Sequence, residues 1–391
     1  MATGHSTAAE KISTPTEYPN LKGTSMQEIS RRRFMQGATA AAITAPFIST
    51  SVTRARAAGS QKKLGVALCG LGSLSTHQIA PALRKTKLCR LAGVVSGTAS
   101  TAEKWIKQHD LLPSSVYTYE TMHRMADNDD IDIVYVVTPN ALHLDHAAAA
   151  ARAGKHVYCE KPLEISVERC QQMIDVCKAA DRMLGTAYRC RFDPHHLECI
   201  RIAREQELGA VRIIEAGFGI DVGEPDQWRL KHALSGGGAL LDVGVYALQT
   251  TRYITGEEPM LVTAIETKTD AVKFKEVDET VAWTAKFPSG AVAYCTASYN
   301  VAGVAKFRVN TERGWFGLDP AYYYNGIKGA RSDGKRLAFP QIDMFAAQLD
   351  DFARCILEER PSIVSGEEGL QDVRVMTAIY ESIRTGRAAR I

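Results

Sequence analysis

No Cys-x-x-Cys pair occurs in the 391 residues, and the nine cysteines (69, 89, 159, 170, 177, 190, 199, 295 and 355) are scattered and odd in number. Neither a thiolate metal site nor a complete disulfide framework is expected from that pattern. Cys69 and Cys159 fall in apolar runs, where cysteine behaves as a small hydrophobe. No charge of one sign dominates once the first 57 residues are set aside. They hold seven Lys/Arg and three Glu, and the rest carries 40 basic and 41 acidic side chains. The net charge of +3 thus belongs to the amino-terminal stretch and gives no case for nucleic acid. No apolar run suits a permanent membrane anchor: the best, 37–52, is short and diluted by Thr, Ser and Pro46. Internal repeats and low-complexity tracts are absent beyond it. What remains is globular, 45% hydrophobic and 23% charged, at a length that suggests two domains with additions.

The amino-terminal stretch has its own grammar. Arg31-Arg32-Arg33-Phe34 follows Ser30 as a twin-arginine pattern, a mild apolar stretch comes next, and Ala55-Arg56-Ala57 has small-x-small spacing. Together they predict a signal over 1–57 for the twin-arginine export machinery, a mature chain from Ala58 and a periplasmic location. That route carries folded proteins, so the cysteines can stay reduced.

Strand and helix signals then alternate over 58–185, predicting a doubly wound parallel sheet. The run 63–69 leads into Gly70-Leu71-Gly72-Ser73-Leu74-Ser75, one residue from a dinucleotide fingerprint, with a helical pattern behind it. Gly70 permits the tight turn and Gly72 lets backbone approach a pyrophosphate. The next strand, 90–95, ends at Ser96-Gly97 with no carboxylate to repel a 2′-phosphate, and Lys104 follows on a helix, so NADP is expected over NAD. A third strand ends at Thr138-Pro139-Asn140, placed for the nicotinamide ribose, with His143 just beyond it. A fourth ends at Cys159-Glu160-Lys161-Pro162. Two charges at the end of a buried strand are unusual, and a lysine there supplies a fixed positive charge beside the crevice.

Over 186–342 the runs 211–218, 260–267, 280–287, 291–299 and 307–311 read as antiparallel strands. Before them in interest comes Gly236-Gly237-Gly238, suited to close approach of a ligand. A helical pattern follows in which Asp242 and Tyr246 share a face. Residues 343–391 return to helical spacing and are expected to pack across both domains. The fold class is therefore an α/β Rossmann domain joined to an α+β domain with a large, open, mainly antiparallel sheet.

Those motifs resemble the Gfo/Idh/MocA oxidoreductases, and within them the glucose–fructose and aldose–aldose subgroup. Glu160-Lys161-Pro162 is similar to the family's E-K-P motif, and 236–246 to the subgroup's G-G-G-x-L-x-D-x-G-x-Y. Tyr246 stands where the wider family usually has His. The resemblance implies NADP(H), tightly bound, and hydride transfer at C1 of monosaccharides. It implies Lys161, Asp242 and Tyr246 as the catalytic set, with Tyr246 transferring the proton, Lys161 stabilising its charge, and Asp242 orienting the sugar or the lysine. It also places Tyr119, Arg189, Trp228, Arg229 and Tyr324 near cofactor or sugar. A proline-rich arm is missing between signal and first strand, so a homodimer through the open sheet is expected rather than arm-linked tetramers. An aldose dehydrogenase with exchangeable cofactor, and a non-catalytic sugar- or nucleotide-binding protein, are the alternatives.

Overall fold

A computed structural model describes residues 62–391; the expected export signal lies outside them. Six apolar runs, each closed by glycine or polar residues, become parallel strands. They are β1 (Leu64–Cys69), β2 (Cys89–Val95), β3 (Val116–Tyr117), β4 (Ile133–Val136), β5 (His156–Glu160) and β6 (Leu184–Ala187). The order β3-β2-β1-β4-β5-β6 runs outward from β1 on one side and from β4 on the other. The crevice at such a switch point opens at the carboxyl ends of the strands. Val66, Leu68, Ile133 and Val134 are fully buried, as a parallel sheet covered on both faces requires.

The second sheet holds β7 (Val211–Asp221), β8 (Leu261–Thr267), β9 (Thr280–Lys286), β10 (Val292–Ser298), β11 (Asn300–Thr311), β12 (Gly314–Leu318), β13 (Gly329–Arg331) and β14 (Ala389–Arg390), in the order β13-β12-β11-β7-β10-β9-β8-β14. Alternation decides its faces: Ala293, Cys295 and Ala297 are buried, whereas Val292 and Tyr294 are exposed. All pairs are antiparallel except β7 with β10. The chain leaves β10 at Ser298 and pairs Asn300 with Asp221 at the end of β7, so it crosses over that end and returns down the other side.

Helices lock the two sheets together. Val167–Ala179 is capped by Ser166, whose hydroxyl accepts from the Arg169 amide. Pro194–Arg204, which the sequence reading passed over, is capped by the Asp193 carboxylate and has proline at its first position. Met344–Leu357 docks on the first sheet, where Asp350 accepts from the Lys87 and Leu88 amides. Gly366–Thr385 docks on the second, where Ser382 accepts from the Ala264 amide at 3.0 Å.

Candidate active site

Lys161 leaves the end of β5 and points into a cavity of about 850 Å³ between the two sheets. Its Nζ donates to the Asp242 Oδ1 at 2.8 Å and to the Asp242 carbonyl at 2.5 Å. The helix meeting it begins with a π-type turn, Leu240–Gly244, and continues as Val245–Thr255. Such widened turns recur at functional sites; here Asp242 presents both carbonyl and carboxylate to the lysine. Its other oxygen, Oδ2, accepts from Arg229 Nε at 3.0 Å and from the Tyr299 hydroxyl at 2.9 Å. Burial opposes the Asp242 charge, yet Lys161, Arg229 and these hydrogen bonds hold its carboxyl well below the usual carboxylate range. Burial likewise works against the Lys161 ammonium, and Asp242 and Tyr246 raise it in spite of that. The ion pair is therefore charged through the neutral range.

Tyr246 lies one turn beyond Asp242 and lines the same cavity, its ring centroid 5.0 Å from Lys161 Nζ. Phe218 meets the ring edge-on at 5.3 Å. The Arg189 guanidinium sits between two rings, 5.0 Å from that of Tyr246 and 4.7 Å from that of Tyr324. Trp228 lines the cavity beneath Arg229, 4.6 Å away.

On the nucleotide side, Gly70 takes φ +98, and a Cβ there would sit 2.8 Å from the Val137 carbonyl. Only glycine suits that turn. At Gly72 nothing lies within 4 Å of a Cβ position, so the backbone faces open space. Gly72, Ser73 and Leu74 border the cavity, and Leu71 precedes them, half-buried. Ser96 closes β2 with its hydroxyl on the Thr98 carbonyl, and a Cβ at Gly97 would lie 3.0 Å from the Tyr119 ring. Lys104 is exposed on the helix Ala99–His109. Thr138, Asn140 and Glu160 line the cavity, and Pro139 leads into the turn Asn140–Leu142. Glu160 accepts from the Tyr135 hydroxyl at 2.7 Å, and burial pushes its carboxyl up.

Two expectations change. His143 is fully buried and does not line the cavity; its ring nitrogens face the Thr138, Pro162 and Leu163 carbonyls at 2.9–3.1 Å. It pins the lysine-bearing segment to the third strand end. The three glycines approach protein, not ligand. A Cβ at Gly236 would lie 2.4 Å from Ile165, at Gly237 2.2 Å from the Tyr380 hydroxyl, and at Gly238 2.0 Å from the Asp278 carbonyl. The buried Asp278 carboxylate then accepts from the Gly238 and Leu240 amides, fixing the start of the helix that carries Asp242. Tyr299, Phe218 and Gln227 also belong to the site and were not read from sequence. Tyr299 carried no local signal: it is the single residue that crosses the end of β7.

Residues 64–188 match the model of an oxidoreductase family with an NAD-binding Rossmann fold, and residues 196–317 match the Gfo/Idh/MocA C-terminal domain. The chain is 42% identical to aldose–aldose oxidoreductase from Caulobacter crescentus, whose glycerol complex aligns with a TM-score of 0.82 over 84% of this chain and 100% of that one. It is 31% identical to D-xylose 1-dehydrogenase (NADP(+)) of Haloarcula marismortui, over 83% of this chain and 92% of the relative. Myo-inositol 2-dehydrogenase from Lactobacillus plantarum, at 20% identity and a TM-score of 0.72 over 84% of this chain and 100% of its own, shares the fold. With one model on each sheet and relatives aligned along most of its length, the chain belongs to the Gfo/Idh/MocA family of oxidoreductases.

Proposed function

We propose that this oxidoreductase is NADP-dependent and acts on sugars, oxidising an aldose at C1 to its lactone and reducing a second sugar to an alditol. The observation that carries the reading is the convergence of Lys161, Asp242 and Tyr246 on one cavity that also reaches the glycine turn. The aldose–aldose oxidoreductase and the NADP(+) xylose dehydrogenase among its relatives support the sugar and the cofactor.

The residues fit such a cofactor. Gly72 leaves open space where a side chain would block a pyrophosphate, and amides at the start of the following helix suit its charge. Ser96 closes β2 with no carboxylate to repel a 2′-phosphate, and the Tyr119 ring packs against Gly97 beside it. When bound, NADP supplies an acceptor for the C1 hydride and, once reduced, its donor. The chain's own residues do the rest. Tyr246 takes the O1 proton as the C1–H bond breaks, and the lactone carbonyl forms. Lys161 opposes the negative charge that passes between O1 and the phenol oxygen. Asp242, gripped by Lys161, Arg229 and Tyr299, keeps the ammonium in place. In the reducing half the same proton returns from Tyr246 to the second sugar.

Export by the twin-arginine route, retention of the cofactor through both halves, and a homodimer through the open face of the second sheet complete the proposal. A periplasmic enzyme has no pool of free nucleotide to draw on, which favours regeneration in place. Dialysed protein should show bound nicotinamide in the near-UV and convert paired sugars to lactone and alditol with no nucleotide added. Loss of the nicotinamide on dialysis, with turnover only on added NADP, selects the second reading. That reading is an aldose 1-dehydrogenase with exchangeable cofactor, which the name of the Haloarcula relative favours. Light scattering of the purified protein tests the dimer.

A further inference from the structure

Arg189 is a buried cation with no carboxylate of its own. It is 4% exposed, and its hydrogen-bond partners among the described residues are two carbonyls and two sulfurs, none of them a carboxylate. Nη1 donates to the Tyr323 carbonyl at 3.3 Å and faces Met344 Sδ at 3.8 Å and Cys190 Sγ at 3.6 Å, while Nη2 donates to the Tyr322 carbonyl. Nε has no protein partner. A buried positive charge is costly unless a negative one faces it. Glu160, on the same cavity wall, is held by Tyr135 and by the Lys161 amide. Lys161 is matched against Asp242, which Arg229 shares. Arg189 thus makes no ion pair among the described residues, although the Glu160 carboxyl on the same wall feels its charge, and its guanidinium lies 5.0 Å from the Tyr246 ring.

We propose that Arg189 is a second cation of the reaction, stabilising the negative charge on the Tyr246 oxygen before it takes the O1 proton and again after it returns that proton. The inference rests on the reading of Tyr246 as the proton-transfer group. Lys161 holds its charge in a direct ion pair with Asp242, so its field at the phenol is partly cancelled; Arg189 has no such contact partner among the described residues. The attraction needs no direct contact with sugar. It acts through Tyr246, and for that reason should affect the chemical step more than binding. The carbonyls of Tyr322 and Tyr323 fix the guanidinium plane between the two rings, which is the arrangement such a role requires.

The test is a double-mutant cycle on cofactor-loaded enzyme, with single-turnover reduction of bound cofactor by sugar as the readout. Arg189→Gln should slow that step about 100-fold, leave sugar affinity within about threefold, and be largely rescued by Arg189→Lys. Tyr246→Phe combined with Arg189→Gln should be no slower than Tyr246→Phe alone, because one residue acts through the other. Losses that multiply in the double variant, or an Arg189→Gln effect confined to sugar affinity, overturn the proposal. So does a Cys190→Ala background in which Arg189→Gln has no effect, which would make the thiol the true partner of the guanidinium. Thermal melts of the glutamine and lysine variants show whether fold is kept; if the glutamine variant does not fold, the uncharged Arg189→Met takes its place, where a slowed chemical step with wild-type-like sugar affinity supports the proposal and an unchanged rate overturns it. Full activity in Tyr246→Phe alone would instead sink the underlying reading, a different result from any of these.

Discussion

At the scale of single residues, the chemistry depends on a carboxylate with several masters. Asp242 meets an ammonium, a guanidinium and a phenol, and its own charge is what keeps Lys161 fixed in a mostly apolar wall. Lys161→Ala and Tyr246→Phe should each lower kcat by about 10²–10⁴-fold. Steady-state rates with an aldose, alongside a melting curve for each variant, check this; near-normal turnover in either removes that residue from the mechanism. Tyr299→Phe is milder. It deletes one hydrogen bond to a charged group, a loss of about 2 kcal/mol, and should show in kcat with little change in fold. Lys161 and Asp242 were legible because charge at a strand end, or in an apolar helix, demands a reason. Tyr299 was not, because its importance comes from pairing partners far away in sequence. His143 misled for the opposite cause: a histidine beside a strand end invites a role, and three carbonyls claimed it.

Among elements, the helix bearing Asp242 and Tyr246 is set by what surrounds its start. Gly238→Ala would drive a methyl into the Asp278 backbone, with a separation of 2.0 Å before relaxation. We expect a loss of about 3 kcal/mol or more, measured by urea unfolding, and weaker activity as Asp242 moves. The glycine run announced close approach, but sequence cannot say whether ligand or backbone does the approaching. Strands 64–69, 89–95 and 280–286 were readable to within a residue or so, because buried runs between turn signals leave little choice. β12 to β14 were not, since two to five residues carry no period. The parallel pairing of β7 with β10 was hidden as well. It depends on a crossover, and neighbouring runs give no sign of which side the chain will return on.

Across the whole molecule, another buried carboxylate ties the late helices to the site. Asp372 is fully buried, accepting from Arg252 at 2.7 Å and Gln249 at 2.9 Å. Burial pushes its carboxyl up to about 6, against Arg252 and in concert with Glu368. In the unfolded chain it would titrate near ~4. Between those values the folded protein binds a proton that the unfolded chain does not, so this group's contribution to stability rises as pH falls from about 6 toward about 4. It is lost again as pH climbs through 6. Asp372→Asn should abolish that difference, roughly 2 kcal/mol between pH 7 and pH 4, in paired denaturant titrations of variant and parent. Arg252 keeps Glu258 and Glu368 in the variant, so it is not stranded.

The grip on Asp242 has a mechanical corollary. Lys161 comes from the nucleotide-binding half, whereas Arg229 and Tyr299 come from the other. Any hinge motion that parts the halves must break a 2.8 Å ion pair before the mouth can widen, so an open enzyme is a disarmed one. Any such parting would take the ammonium away from its counter-charge and from the Tyr246 ring together.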